Sequence, residues 1–253
     1  MKAVTSQHDQ AIAFEDTDVA TPLTAIPATS ARLSLAAAAT FLVLVAALHV
    51  IKPEFDPSWR FISEYAIGDY GWMMVLAFLS LALSCVTSFI AIRSQIGTTG
   101  GKIGLALLLA VAAALATAGI FVMDPITASK DELTTHGNLH GLASMVGIPG
   151  LPIAAVLISR SLARNQAWLS ARRSLRWTAH LTWITLLLMF ATMAVMLPHN
   201  DGAFGPDVLI GWPNRLLVGA YSGWLMAVAW YATQLNRQGS WTGVQQNLVA
   251  DKP

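Results

Sequence analysis

The chain has 253 residues, of which 55% are hydrophobic and 11% charged, with a formal net charge of +1. A soluble domain carries about 25% charged residues, so this chain has too little polar surface for a water-soluble globule of its size. Outside the connection 160–176 no basic run is long enough for a nucleic-acid footprint, so no nucleic-acid partner is expected, and a single cysteine, Cys85, excludes an internal disulfide.

Residues 1–32 come first and read as a disordered cytoplasmic tail, rich in Ala and Thr and carrying Asp9, Glu15, Asp16 and Asp18. A secretory leader is basic at its start and has a shorter apolar core. Here the leader is acidic and the apolar run full length, so the first hydrophobic segment reads as an uncleaved membrane helix.

Six apolar runs follow: Leu33–Ile51, Trp72–Ile92, Ile103–Met123, Asn138–Ser159, Trp177–Leu197 and Leu216–Leu235. None contains Asp, Glu, Lys or Arg. Each is near the roughly 20 residues that cross a ~30 Å hydrocarbon core as a helix, and a β-barrel would show alternating segments of about ten residues instead. The fold class is therefore an all-α polytopic bundle of six transmembrane helices over 33–236, in the lipid bilayer of the inner (plasma) membrane. Residues 237–253 read as a second cytoplasmic tail.

Orientation follows from Lys and Arg, which concentrate in cytoplasmic segments. The N-terminal tail, the connections Arg93–Lys102 and Arg160–Arg176, and the C-terminal tail hold 11 of the 15. Only Lys52, Arg60, Lys130 and Arg215 lie in the other set. Both termini are expected inside.

Small residues recur at packing distance: Ala110, Ala114 and Ala118 on the third span, and Gly137, Gly141, Gly147 and Gly150 on the fourth. Small side chains let helices approach where no hydrophobic effect draws them together. Pro149 and Pro152 predict a kink in the fourth span.

The candidate chemistry gathers outside. Nine of the 14 acids fall beyond the non-cytoplasmic boundary, as do His49, His136, His140 and His199. His136 and His140 stand at i and i+4, one face of a helix, a spacing that lets two imidazoles share a metal. Gly137 stands where a zinc protease would place its Glu. Glu132, one turn earlier, is placed to orient His136. Asp124, His49 and His199 complete a candidate set for zinc or another divalent metal. In the first outer connection Arg60, Ser63, Glu64 and Tyr65 lie together. Glu64 is the candidate general base, with Ser63 and Tyr65 beside it, and Arg60 and Arg215 are candidates to bind an anionic group.

The run RFISEYAIGDYGWMM (60–74), the segment Phe121-Val122-Met123-Asp124-Pro125 and the histidine-bearing start of the fourth span resemble a bacterial and archaeal membrane family catalogued as domain-of-unknown-function 998. The resemblance covers roughly residues 35 to 235. It implies a compact multi-helix bundle, with Ser63, Glu64, Tyr65, Gly68, Asp124, Pro125 and His140 at matching positions, and no settled activity. A looser similarity links the outer histidines to membrane hydrolases of the alkaline ceramidase type, which set His, Asp and Ser around zinc. The histidine spacing here does not reproduce their motif.

Three functions compete. One is a metal-dependent hydrolase or transferase acting on a lipid or amphiphile at the outer face. The second is a metal-free binding or transport protein for a small anionic amphiphile. The third is a haem protein using His49 and His140. A reporter fused within 160–176 is expected to read as cytoplasmic. A periplasmic signal from that fusion would reverse the orientation and move the histidines inside.

Overall fold

A computed structural model describes residues 26–250, with side chains to Arg237. The expected N-terminal tail lies outside the described residues up to residue 25, and so do the side chains of the expected C-terminal tail beyond Arg237.

Six helices long and apolar enough to cross a membrane make up the fold, and no strand occurs among the described residues. They are α1 (Ala28–Ile51), α2 (Gly71–Ile92), α3 (Thr99–Ile120), α4 (Thr135–Leu162), α5 (Arg172–Met196) and α6 (Gly211–Ala250). The expected spans coincide with these helices, with shifted ends. α1 begins five residues before Leu33, because Ala28, Ala31 and Arg32 favour helix and Pro27 sits at the start, where its missing N–H costs nothing. α3 stops at Ile120, short of Met123. Phe121 turns extended, and Asp124 precedes Pro125, which disfavours helix for it.

The helices form a closed ring in chain order. Each packs on its sequence neighbours, α6 closes on α1, and α2 and α6 also meet across the middle. The connections after α1, α3 and α5 therefore gather at one end. That end carries His49, His136 and His199 and is called the histidine end below. The connections after α2 and α4 gather at the opposite, arginine-rich end.

Close packing comes from glycine more than from the expected alanine row. A Cβ at Gly101, Gly104 or Gly150 would press on Ser161, Leu157 or Val111 across the α3–α4 interface. Ala114 and Ala118 are buried, but Ala110 is exposed. Gly141 also differs from its expected packing role: it is exposed, with nothing within reach of a Cβ.

Lipid offers no hydrogen bonds, so polar groups in the spans must find partners inside the protein. Ser34 of α1 bonds the hydroxyls of Ser88 (2.7 Å) and Ser84 (3.1 Å) of α2, and Ser84 donates to the Ser34 carbonyl. Trp224 of α6 donates to Ser159 of α4 at 3.0 Å. α4 continues unbroken through both prolines. Pro152 has no N–H for the carbonyl of Ile148, four residues back. The Tyr221 hydroxyl of α6 donates to that carbonyl instead.

Tyr221→Phe should lower stability by about 1 kcal/mol, within the range measured for hydrogen bonds between membrane helices. Pro152→Ala restores a backbone donor to Ile148, so the same tyrosine change should cost less in that background. Thermal melts of the four proteins in detergent check this; equal costs in both backgrounds would refute the pairing.

Candidate functional site

The first connection after α1 folds inward as a plug over the histidine end. Its centre is a 3-10 turn, Ile62–Ala66, in which Ile62, Glu64 and Tyr65 are buried. Glu64 is 0% exposed, and its carboxylate is fully engaged. One oxygen accepts from Arg60 (2.7 Å) and from the Ile126 N–H of the α3–α4 connection (3.1 Å); the other accepts from the Phe61 N–H (3.0 Å). The Arg60 guanidinium stacks on Trp59, 4.1 Å from the ring centroid.

Arg215, in the first turns of α6, holds the plug from the side. It donates through Nε to His49 Nε2 (2.7 Å), through one terminal nitrogen to the carbonyls of Arg60 (2.7 Å) and Gly211 (3.0 Å), and through the other to the Tyr65 hydroxyl (3.0 Å). His49 Nδ1 lies 2.7 Å from the Val45 carbonyl. Both ring nitrogens of His49 are thus occupied, with the proton on Nδ1. Lys52, only 2% exposed, donates to the carbonyls of Tyr65 and Ile67. Burial pulls its amine below the ordinary lysine range, and Glu54 and Asp69 partly offset that. Gly211 admits the plug to the α6 terminus: a Cβ there would overlap the backbone of Pro57, and its N–H donates to Ser58 at 2.9 Å.

Asp124 does a different job. Its two oxygens accept from the Thr134 N–H and hydroxyl, each at 2.8 Å, at the start of α4, where a carboxylate suits the helix dipole. Gly137 is needed because any Cβ would strike that carboxylate. Glu132 does not reach His136: it caps its own turn by accepting from the Ser129 N–H and hydroxyl. Those two bonds hold its carboxyl below the usual range.

The two histidines on one α4 face part company. His136 is exposed, edge-on to Phe121 at 5.3 Å. His140 is 6% exposed, and its Nδ1 lies 3.0 Å from the carbonyls of both Ala118 and Phe121. His199 sits apart at the α5 end, exposed and bonded to the Val195 carbonyl. The expected metal ligands thus fall into separate places: His49 in the plug, Asp124 and His140 on different partners near α4, and His136 and His199 at the surface. Among the described residues no group of three His, Cys, Asp or Glu side chains has the arrangement to hold a metal ion.

Beneath the plug lies a cavity of about 80 Å³ between α1, α2, α3, α4 and α6. Its walls are apolar, including Phe41, Phe78, Leu81, Val111 and Leu151, and no charged residue lines it. Its polar lining groups are Ser63, His140, Ser144, Asn214 and Tyr221. Ser63 donates to Met123 Sδ at 2.7 Å. Asn214, 8% exposed, uses its side-chain oxygen to accept the Ile62 N–H at 3.0 Å. Of the expected residues, Ser63 and His140 reach this cavity. Glu64, Tyr65, Arg60, Arg215 and His49 meet one another in the plug.

Sequence reasoning assigned no role to Lys52, Asn214 or Tyr221. Lys52 was visible as the lone lysine closing the first span, and Asn214 as the lone asparagine leading into the last. Nothing in the sequence distinguished Tyr221 from an interfacial aromatic.

The family model described as "Protein of unknown function (DUF998)" matches residues 35–231. No curated protein and no solved structure matches the chain.

Arg60→Ala would strand a buried carboxylate, at a cost of about 3 kcal/mol. Glu64→Gln added to it removes the stranded charge and should recover part of that loss. Chemical or thermal unfolding of the single and double variants checks the pair; a double variant less stable than Arg60→Ala would contradict it.

Proposed function

Because the chain belongs to the DUF998 family, whose function is unknown, its activity has to be argued from its own side chains, and we propose that it is a metal-free binding or transport protein for a small amphiphile. It is a multi-pass membrane protein. The finer location, the plasma membrane with both termini inside and the histidine end outside, rests on the Lys and Arg distribution.

One observation carries the binding reading. The cavity is lined mostly by apolar side chains, with Ser63, His140 and Asn214 at the plug end and the Tyr221 hydroxyl, bonded to the Ile148 carbonyl, further in, a mostly apolar lining with a polar end that suits an amphiphile. Its volume of about 80 Å³ takes the head group and first carbons of such a molecule.

The competing readings have less support. A zinc hydrolase needs three ligands around one open position. The candidate ligands here are scattered, and among the described residues no three His, Cys, Asp or Glu side chains are arranged to hold a metal ion. A haem would need a free nitrogen on His49, and both are taken. Arg215 spends its donors on the plug, so anion capture is not its main work, while Arg60 gives one donor to Glu64 and its buried Nε has no partner among the described residues.

Gly147→Leu would fill the cavity from the α4 wall, where a Cβ has only ordinary contact with Ala114. Native mass spectrometry of protein released from nanodiscs should detect a bound lipid on the wild type and lose it on this variant, with helix content unchanged. Equal retention by both proteins, or a wild type that carries none, would sink the binding reading.

A further inference from the structure

The cavity's hydrogen-bonding groups have a fixed polarity. His140 Nδ1 faces two carbonyl oxygens, Ala118 and Phe121, both at 3.0 Å, so that nitrogen must carry the proton. The neutral ring then has a bare acceptor at Nε2. That atom has no hydrogen-bond partner among the described residues, although the side chain is more than nine-tenths buried. Asn214 is set the opposite way. Its oxygen is committed to the Ile62 N–H at 3.0 Å, which leaves the Nδ2 amide as a donor with no partner among the described residues.

One unfilled acceptor and one unfilled donor therefore border the same cavity, with no formal charge in its lining. Arg60, Glu64, Arg215 and Lys52 are close in sequence or space, but they are bonded to one another or to backbone carbonyls within the plug. A charged head brought into this cavity would lose its hydration and meet no counter-ion. A hydroxyl both donates and accepts, and so matches the pair.

Resting on the amphiphile-binding reading, we infer that the ligand's head group is an uncharged hydroxyl, which enters the cavity, donates to His140 Nε2 and accepts from Asn214 Nδ2. Leaving one buried polar partner unmatched costs about 1–3 kcal/mol. A preference of about tenfold for the alcohol over a chain without a head group is therefore expected, since tenfold corresponds to about 1.4 kcal/mol.

The test uses the full chain in nanodiscs and three photoreactive diazirine probes of equal length: a dodecanol analogue, the matching fatty acid, and the matching alkane. Peptide mass spectrometry reads labelling of the α4 and α6 cavity segments. The alcohol should label about tenfold more efficiently than either of the others. His140→Asn places an amide where Nδ1 was, retaining a donor to the two carbonyls while removing the Nε2 acceptor, and it should abolish the preference. Asn214→Leu should weaken it.

Equal labelling by all three probes would overturn the alcohol assignment and leave the amphiphile cavity standing, with water as the ordinary partner of the two polar groups. Stronger labelling by the fatty acid would overturn it in favour of an anionic ligand. Labelling of the cavity by none of them would overturn both readings. Should His140→Asn fail to fold, the comparison of probes on the native protein still decides.

Discussion

A carboxylate out of reach of water has to be matched bond for bond, and Glu64 is matched by three groups from two connections. Arg60 supplies charge, Phe61 an N–H from the same turn, and Ile126 an N–H from the connection between α3 and α4. The requirement to satisfy a buried ion links two loops that would otherwise move independently. Arg215 extends the link to α6, and its bond to His49 extends it to α1. The plug at the histidine end is held by this chain of contacts, with help from aromatic packing such as Phe61 on Phe204.

Sealing the charges into the plug determines what remains beneath it. The cavity below inherits only uncharged groups: an imidazole oriented by two carbonyls, an amide oriented by one N–H, hydroxyls and hydrocarbon. Electrostatic interactions strengthen where water is excluded, so even one misplaced charge there would be costly. The cluster of acids and histidines at the histidine end is thus mainly a framework, and the candidate binding chemistry comes from neutral groups one layer deeper.

The same dry surroundings govern the spans. A proline inside α4 frees a carbonyl, and a tyrosine from α6 takes it. Serines on α1 and α2 pair with each other because lipid offers them nothing. These bonds, with the glycine contacts between α3 and α4, give the ring its specific neighbours where hydrophobic burial cannot choose among them.

The number and placement of the helices were legible in the sequence, because an uncharged run of about 20 residues has one comfortable structure in a bilayer. Family resemblance was legible too, through the segment that turns out to form the plug. The sequence also brought Arg60, Glu64 and Tyr65 under suspicion as a group, and they do meet. Which nitrogen of each histidine is spoken for was not legible. That depends on carbonyls from other segments: Ala118 and Phe121 for His140, Val45 for His49. The i, i+4 pair on α4 looked like one site because helical periodicity puts both residues on one face. Depth separated them, with His140 one turn further into the bundle, against α3, and His136 exposed at the rim. Local spacing governs which side chains share a face, whereas the order of helices around the ring governs what that face meets. For this chain, only the tertiary structure supplied that order.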